Sequence, residues 1–167
     1  MAASPTPSRD AEYVEFVRVA SGSLTRTAYL LTGDRELASD LVQEALVRTY
    51  LAWRRVRHGE ATAYARRVLV NLNIDRWRRR PPVPTELADR PDPGDGHGRS
   101  DDRDEVVRML ATLPEQQRRV IVLRYFEDLT EADTAHQLGI SVGAVKSAAS
   151  RGLATLRTRY ASVGGER

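Results

Sequence analysis

The sequence predicts an all-α protein of two small helical domains joined by a flexible linker. Three observations predict it. Apolar residues recur at steps of three and four in both halves of the chain, and no stretch alternates for long with period two. Residues 81–100, PPVPTELADRPDPGDGHGRS, are rich in Pro, Gly and Asp and hold almost no apolar side chains, so burial cannot offset the entropy of ordering them. A chain of 167 residues suits one medium domain or two small ones. The expected units are 11–80 and 101–160, with 81–100 as the linker. Two domains of this size each lie near the lower limit for a self-sufficient core.

Each element has a local cause. Tyr13, Phe16, Val17, Ala20, Leu24, Ala28 and Leu31 mark a first helix or broken helix pair, with Ser21-Gly22-Ser23 as the candidate break. Gly33-Asp34 is a turn, with Asp34 as N-cap of the next helix. That helix carries Leu37, Leu41, Val42, Ala45, Leu46 and Thr49 and runs to about Trp53. After a short loop at Arg57-His58-Gly59, a third helix spans about Ala61 to Arg80, where Pro81-Pro82 ends it. Beyond the linker, Val106, Val107, Leu110 and Leu113 form one helix. Pro114 is placed at the first position of the next, which carries Val120, Ile121, Leu123 and Phe126. Thr130 and Asp133 have capping-box spacing, Gly139 breaks the short helix they open, and Ser141 caps a last helix to about Tyr160.

Composition removes several function classes. There is no cysteine, which excludes disulfides, thiolate catalysis and Cys-ligated zinc. His58, His97 and His136 are isolated, no glycine-rich phosphate loop occurs, and no cofactor or metal is expected. The Ala-, Ser- and Pro-rich start lacks the apolar stretch of a signal peptide, and no apolar run reaches membrane-spanning length, so the expected place is the cytoplasm, without membrane insertion.

The net charge of +3 hides a lopsided distribution. Residues 54–80 hold nine Arg and two acids, a local net of +7, whereas 81–105 hold three Arg and eight acids, a local net of −5. Residues 134–160 hold four basic residues and no acid. Two basic blocks around an acidic spacer suggest two contacts with a polyanion. Solvated helix faces would give the same pattern.

Residues 130–150, TEADTAHQLGISVGAVKSAAS, have the spacing of a helix-turn-helix. Two helices crossing steeply need a small residue where they touch, which is Ala135, and a residue tolerant of positive φ in the turn, which is Gly139. Val145 and Ala148 point back at the first helix, and Leu138 and Ile140 close the pocket. An ordinary helical hairpin is the bland alternative. In a helix-turn-helix, the second helix enters the major groove by its N-terminal half. Ser141, Gly143 and the nearby amides would then hold a phosphate, while Lys146, Ser147, Ser150 and Arg151 project toward DNA.

The first domain carries two chemically opposite faces. Asp40, Gln43, Glu44 and Val47 lie three or four apart and form an acidic-polar stripe suited to a basic helical partner, or simply to water. The third helix combines Tyr64, Arg66, Arg67, Asn71, Asn73, Arg76 and Trp77 with Arg78–Arg80, and Trp53 stands just upstream. Aromatic residues with Arg bind unstacked bases and track phosphates. Singly, Trp53 and Tyr64 read better as core. Asn71 and Asn73 are unusual in mid-helix, and outward-facing side chains that pair with base edges are one explanation.

These segments resemble a family. ASDLVQEALVRTYLAW is similar to the polymerase-binding helix of bacterial sigma factors, and RRVLVNLNIDRWRRR to the helix that follows and recognises the −10 element. LPEQQRRVIVLRYFEDLTEADTAHQLGISVGAVKSAASRGLATLR is similar to their C-terminal helix-turn-helix domain, which recognises the −35 element. A linker in place of an intermediate domain resembles the extracytoplasmic-function group, in the actinobacterial sigma-E style. The resemblance implies that Asp40, Gln43 and Glu44 bind the β′ clamp helices of core RNA polymerase. It implies that the Arg54–Ala61 loop, with Arg57 and His58, captures a flipped base, and that Arg67, Asn71, Arg76, Arg78 and Arg79 hold −10 promoter DNA. The last helix would read the −35 element through Ser141, Gly143, Lys146, Ser147, Ser150 and Arg151, and its domain would dock on the β flap. An anti-sigma factor is a further family expectation. The linker, about 65–70 Å when stretched and roughly 25 Å as a coil, would span the two elements.

Two other readings stay open on the residues themselves. A stand-alone helix-turn-helix regulator would bind duplex alone, usually as a dimer, and would need an effector pocket rather than SDLVQEAL. A DNA recombinase would need a Ser or Tyr nucleophile amid catalytic arginines, and no residue is singled out for that role.

Overall fold

The computed structural model describes residues 8–80 and 101–164, and all regular structure among them is helical. The expected linker, with His97 and the Pro81-Pro82 stop, lies outside the described residues. α1 spans Arg9–Thr32, α2 Arg35–Ala52 and α3 Ala61–Arg78, with a 3-10 turn at His58–Glu60 ahead of α3. The second group comprises α4 (Asp101–Ala111), α5 (Glu115–Ile121), a π turn at Val122–Phe126, α6 (Glu131–Leu138) and α7 (Val142–Gly164).

α1 is one continuous helix, not a broken pair. The Ser21 and Ser23 hydroxyls donate back to the carbonyls of Val17 and Ala20, which keeps them compatible with helix, and Gly22 faces open space. Ser8 caps its start, and Asp34 caps α2 by accepting from Leu37 N at 3.0 Å, as its position predicts. Pro114 falls one position earlier than expected, at the N-cap of α5. The Phe126 side chain is exposed, because the π turn, closed by Glu127 N donating to Val122 O, adds a residue and rotates it out of the helical register.

The main core joins both helical groups. Leu24, Ala28 and Leu31 of α1 and Leu69 and Val70 of α3 belong to one apolar cluster with Val107 and Leu110 of α4, Leu113, Ile121 and Leu123. Each group is small for a core of its own, and each completes its burial on the other. Arg118 lies within this contact. Its guanidinium donates to Leu31 O at the end of α1 and to Leu110 O and Ala111 O at the end of α4. One cation thus satisfies carbonyls at two helix C-termini, where the backbone dipoles favour positive charge. A second, smaller cluster of Val120, Ala135, Val145 and Ala148 holds α6 and α7 together. Gly152 lets α7 approach α5 closely, since a Cβ there would meet Ile121 Cγ1 at 3.1 Å.

Candidate nucleic-acid interface

Three exposed surfaces arise from these helices. The first is on α2. Burial of Ala38, Leu41, Val42, Ala45 and Thr49 against α1 and α3 turns Asp40, Gln43 and Glu44 outward. Glu44 pairs with Arg48 one turn on, whereas Asp40 makes no hydrogen bond or ion pair among the described residues. The same face continues into Val47, 58% exposed, and Leu51, 71% exposed. Leu51 escaped the sequence reading, although it stands four residues beyond Val47 on the same stripe. Together they form a strip that is acidic at one end and apolar at the other, suited to an amphipathic basic helix.

The second surface surrounds the N-terminal end of α3. Trp53 is core, as its bland reading holds: it is buried among Tyr13, Phe16 and His58, with ring centroids 5.2, 5.1 and 5.4 Å away. This aromatic cluster fixes the turn between α2 and α3 on α1. Tyr13 adds a hydroxyl bond to Leu46 O, and burial pushes its phenol pKa up. His58 Nε2 lies 3.2 Å from Glu12 Oε2, so its imidazole is held against α1 while the neighbouring Arg57 stays exposed. The fixed turn frames an open cleft of about 640 Å³ lined by Ala52, Arg55, Val56, Arg57, Glu60, Ala63, Tyr64 and Arg67. Three arginines, one half-buried phenol and one carboxylate converge there. Sequence reading singled out Arg57, Tyr64 and Arg67, and held Arg55 and Glu60 only as members of the Arg54–Ala61 loop, since their places depend on how the chain turns after α2.

Along α3, Arg67, Asn71, Arg76, Arg78 and Arg79 are exposed. Asn73 is not outward-facing. It is buried, and its Oδ1 accepts from Arg119 Nε at 3.1 Å. Arg66 likewise turns to the second group, 3.1 Å from Glu127 Oε2. Trp77 is half-exposed, with the Arg119 guanidinium 5.6 Å from its ring centroid. Burial holds the Arg119 guanidinium below its ordinary pKa, while Glu115 works in the opposite direction. One helical face of α3 therefore meets protein, and the adjacent face, through Arg67 and Asn71, meets solvent.

The third surface is the helix-turn-helix. α6 begins at Thr130, whose Oγ1 accepts from Asp133 N at 3.0 Å, and it ends at Gly139 with φ 65°. The Asp133 carboxylate accepts the Thr130 hydroxyl at 2.7 Å, a shorter version of the capping box. Ser141 accepts from Ala144 N and so caps α7. Ala135, Val145 and Ala148 are buried where the helices cross, as expected. Ser141, Gly143, Lys146, Ser147, Ser150 and Arg151 are all exposed on the N-terminal half of α7. Lys146 Nζ lies 3.7 Å from Glu131, too long and exposed a pair to hold it back from a phosphate. Among the described residues no group of three or more His, Asp or Glu could hold a metal ion, and no helix is long and apolar enough to cross a membrane.

Comparison with known proteins agrees with this layout. Residues 16–81 match the model of sigma-70 region 2, and residues 103–156 match that of sigma-70 region 4. The chain is 40% identical over 149 residues to RNA polymerase sigma-E factor of Streptomyces coelicolor, covering 87% of this chain and 84% of that protein. It is also 40% identical over 154 residues to RNA polymerase sigma-E factor of Streptomyces avermitilis, with 90% and 86% covered. In fold it is similar to the sigma factor RpoE solved in complex with the anti-sigma factor NepR from Bartonella quintana, at a TM-score of 0.66 and 21% identity, covering 88% of this chain and 95% of that one. CnrH, solved in complex with the cytosolic domain of CnrY, gives the same TM-score and identity over 93% and 90% of the two chains. The two matched regions together point to a sigma factor for promoter recognition and initiation by RNA polymerase. The chain belongs to the RNA polymerase sigma factors, in the extracytoplasmic-function group of sigma-E type.

Proposed function

We propose a residue-level division of labour for this sigma factor. The α2 stripe of Asp40, Gln43 and Glu44, extended by Val47 and Leu51, binds the β′ clamp helices of the core enzyme. The cleft at the start of α3 takes an extruded base of the −10 non-template strand, with Tyr64 as a stacking surface and Arg55, Arg57 and Arg67 on the flanking phosphates. Arg67, Asn71, Arg76, Arg78 and Arg79 track the rest of that strand along α3. His58 shapes the cleft through Glu12 and Trp53. The N-terminal half of α7 reads the −35 duplex from Ser141 to Arg151, and the second helical group docks on the β flap. The units 11–80 and 101–160 act at the two promoter elements, with 81–100 as the tether. The protein works in the cytoplasm with RNA polymerase and has no chemistry of its own. A regulator of the anti-sigma class is part of this reading, and the RpoE–NepR complex supports it.

The observation that carries the proposal is the cleft: about 640 Å³, bordered by three arginines and a phenol, and set on a turn anchored by an aromatic cluster. That volume falls in the range of small-ligand sites. Its lining suits a flat, hydrogen-bonding ring attached to an anionic backbone. The test places 2-aminopurine in turn at each −10 non-template position of a promoter bound by the holoenzyme. One position is expected to brighten on binding. Tyr64→Ala is expected to weaken binding of the pre-melted promoter by about 1–3 kcal/mol, the worth of one base–aromatic stack. Uniform fluorescence along the strand, with Tyr64→Ala indistinguishable from wild type, would remove the cleft from the account.

A further inference from the structure

We propose that Glu60 makes the cleft at the start of α3 selective for guanine, its carboxylate accepting from N1–H and N2–H of the extruded base. The inference rests on the proposed capture of a −10 base in that cleft and names the base.

The fold delivers Glu60 to the cleft as a fixed carboxylate with no partner of its own. It closes the 3-10 turn His58–Glu60, and its backbone N donates to Arg57 O at 2.8 Å. The next residue, Ala61, is buried and begins α3. Glu60 therefore stands at the N-cap position of α3, yet its side chain makes no capping hydrogen bond. Nor does it close on the arginines. Arg55, Arg57 and Arg67 line the same cleft, and among the described residues none of these four side chains makes a hydrogen bond or ion pair. Opposite charges that share a cleft without joining leave donors and acceptors for a ligand placed between them. A carboxylate there repels phosphate, so a cleft that only tracked the backbone would bind better without it. The α3 dipole favours an acid at this position, but that effect on stability is blind to which base is bound.

Size does not choose the base. A cleft of about 640 Å³ admits purine and pyrimidine nucleotides alike. Polar matching decides. A carboxylate offers acceptors only. Guanine alone carries two adjacent donors, N1–H and N2–H, on its Watson–Crick edge. Cytosine and adenine each set one amino group beside a ring-nitrogen acceptor, which the carboxylate repels. Thymine sets N3–H between two carbonyl oxygens. The other edge of guanine suits the arginines, since O6 and N7 are both acceptors and a guanidinium only donates. Tyr64 stacks on any base, so the choice falls to Glu60.

The experiment uses holoenzyme formed from core polymerase and the full chain, on a promoter pre-melted at the −10 element. The 2-aminopurine scan fixes the extruded position. Guanine, adenine, cytosine, thymine and hypoxanthine are then placed there in turn. Guanine is expected to bind tightest, by about tenfold to a hundredfold over the other natural bases, the range for one bidentate contact. Hypoxanthine lacks the 2-amino group and is expected to bind about tenfold more weakly than guanine. In Glu60→Gln the amide donates as well as accepts, so the guanine preference is expected to vanish in favour of adenine. Ratios between bases carry the result, because removing a negative charge strengthens binding of every strand. A dipole role alone would lower the melting temperature of Glu60→Gln and leave those ratios unchanged. Free guanosine monophosphate is expected not to compete at micromolar concentration. A bright position that takes all four bases equally, or a guanine preference that survives Glu60→Gln, overturns selection by Glu60 and leaves base capture standing. Absence of any bright position removes base capture, and the selection with it. Displacement of the strand by micromolar guanosine monophosphate would make the site one for a soluble nucleotide and would overturn the proposal as well.

Discussion

Asp40→Arg is expected to reduce binding to core RNA polymerase by at least about a hundredfold, or about 2.7 kcal/mol, while melting temperature and circular dichroism stay at wild-type values. Asp40 is exposed and makes no hydrogen bond or ion pair among the described residues, so the fold loses nothing when it is replaced. Across an interface the change counts twice, because an attraction to a basic helix is lost and a repulsion is introduced. Close charge pairs across protein interfaces couple by about 1.5–7 kcal/mol. Titration of labelled core enzyme with the variant measures the effect. Leu51→Ala separates the apolar end of the stripe from the acidic end. It removes contact area without a charge, so it is expected to speed dissociation and leave the salt dependence of association unchanged. Wild-type affinity for Asp40→Arg would relocate the core-binding surface.

The second large effect is expected from replacing Arg76, Arg78 and Arg79 together with Ala. All three are exposed near the end of α3, and none of their side chains makes a hydrogen bond or ion pair among the described residues. Alanine is the best helix former, so α3 is retained. Each phosphate contact contributes about 0.7 to the slope of log affinity against log salt on single strands, and about 0.9 on duplex. Loss of three contacts therefore flattens the slope by about 2 to 2.7. Between 50 and 200 mM salt, the gap between holoenzyme with wild-type and with variant sigma then narrows by roughly thirtyfold. Promoter binding measured across that range checks it. A parallel offset with unchanged slope would mean that the three arginines do not touch phosphates.

Much of the fold is legible in the sequence because it rests on short-range rules. Asp34, Thr130 and Ser141 cap helices, and Gly139 closes one with positive φ. The helix-turn-helix is legible for the same reason: Ala135, Val145 and Ala148 meet a local steric requirement at fixed offsets. The exposed faces of α2 and α7 follow from helical periodicity, while their roles come from the family resemblance.

The rest depends on contacts between residues distant in sequence. Arg118 and Arg119, which the sequence reading did not single out, are both buried, because one finds three backbone carbonyls and the other finds Asn73. Asn73 reads as a base-pairing candidate for the same lack of a visible partner. Phe126 reads as core because a π turn leaves no periodic signal. The Ser21-Gly22-Ser23 break is absent because two serine hydroxyls bond back along the helix. The cleft beside Tyr64 needs the path of the chain between α2 and α3, and no spacing rule encodes that path.

The central claim is that this chain selects promoters for RNA polymerase. The most direct measurement adds the purified protein to sigma-free core polymerase with genomic DNA and maps transcript 5′ ends. A limited set of discrete start sites is expected, sharing two upstream elements about two helical turns apart, and absent when Asp40→Arg replaces the wild type. Transcripts that start no more specifically than those of core enzyme alone would contradict the account.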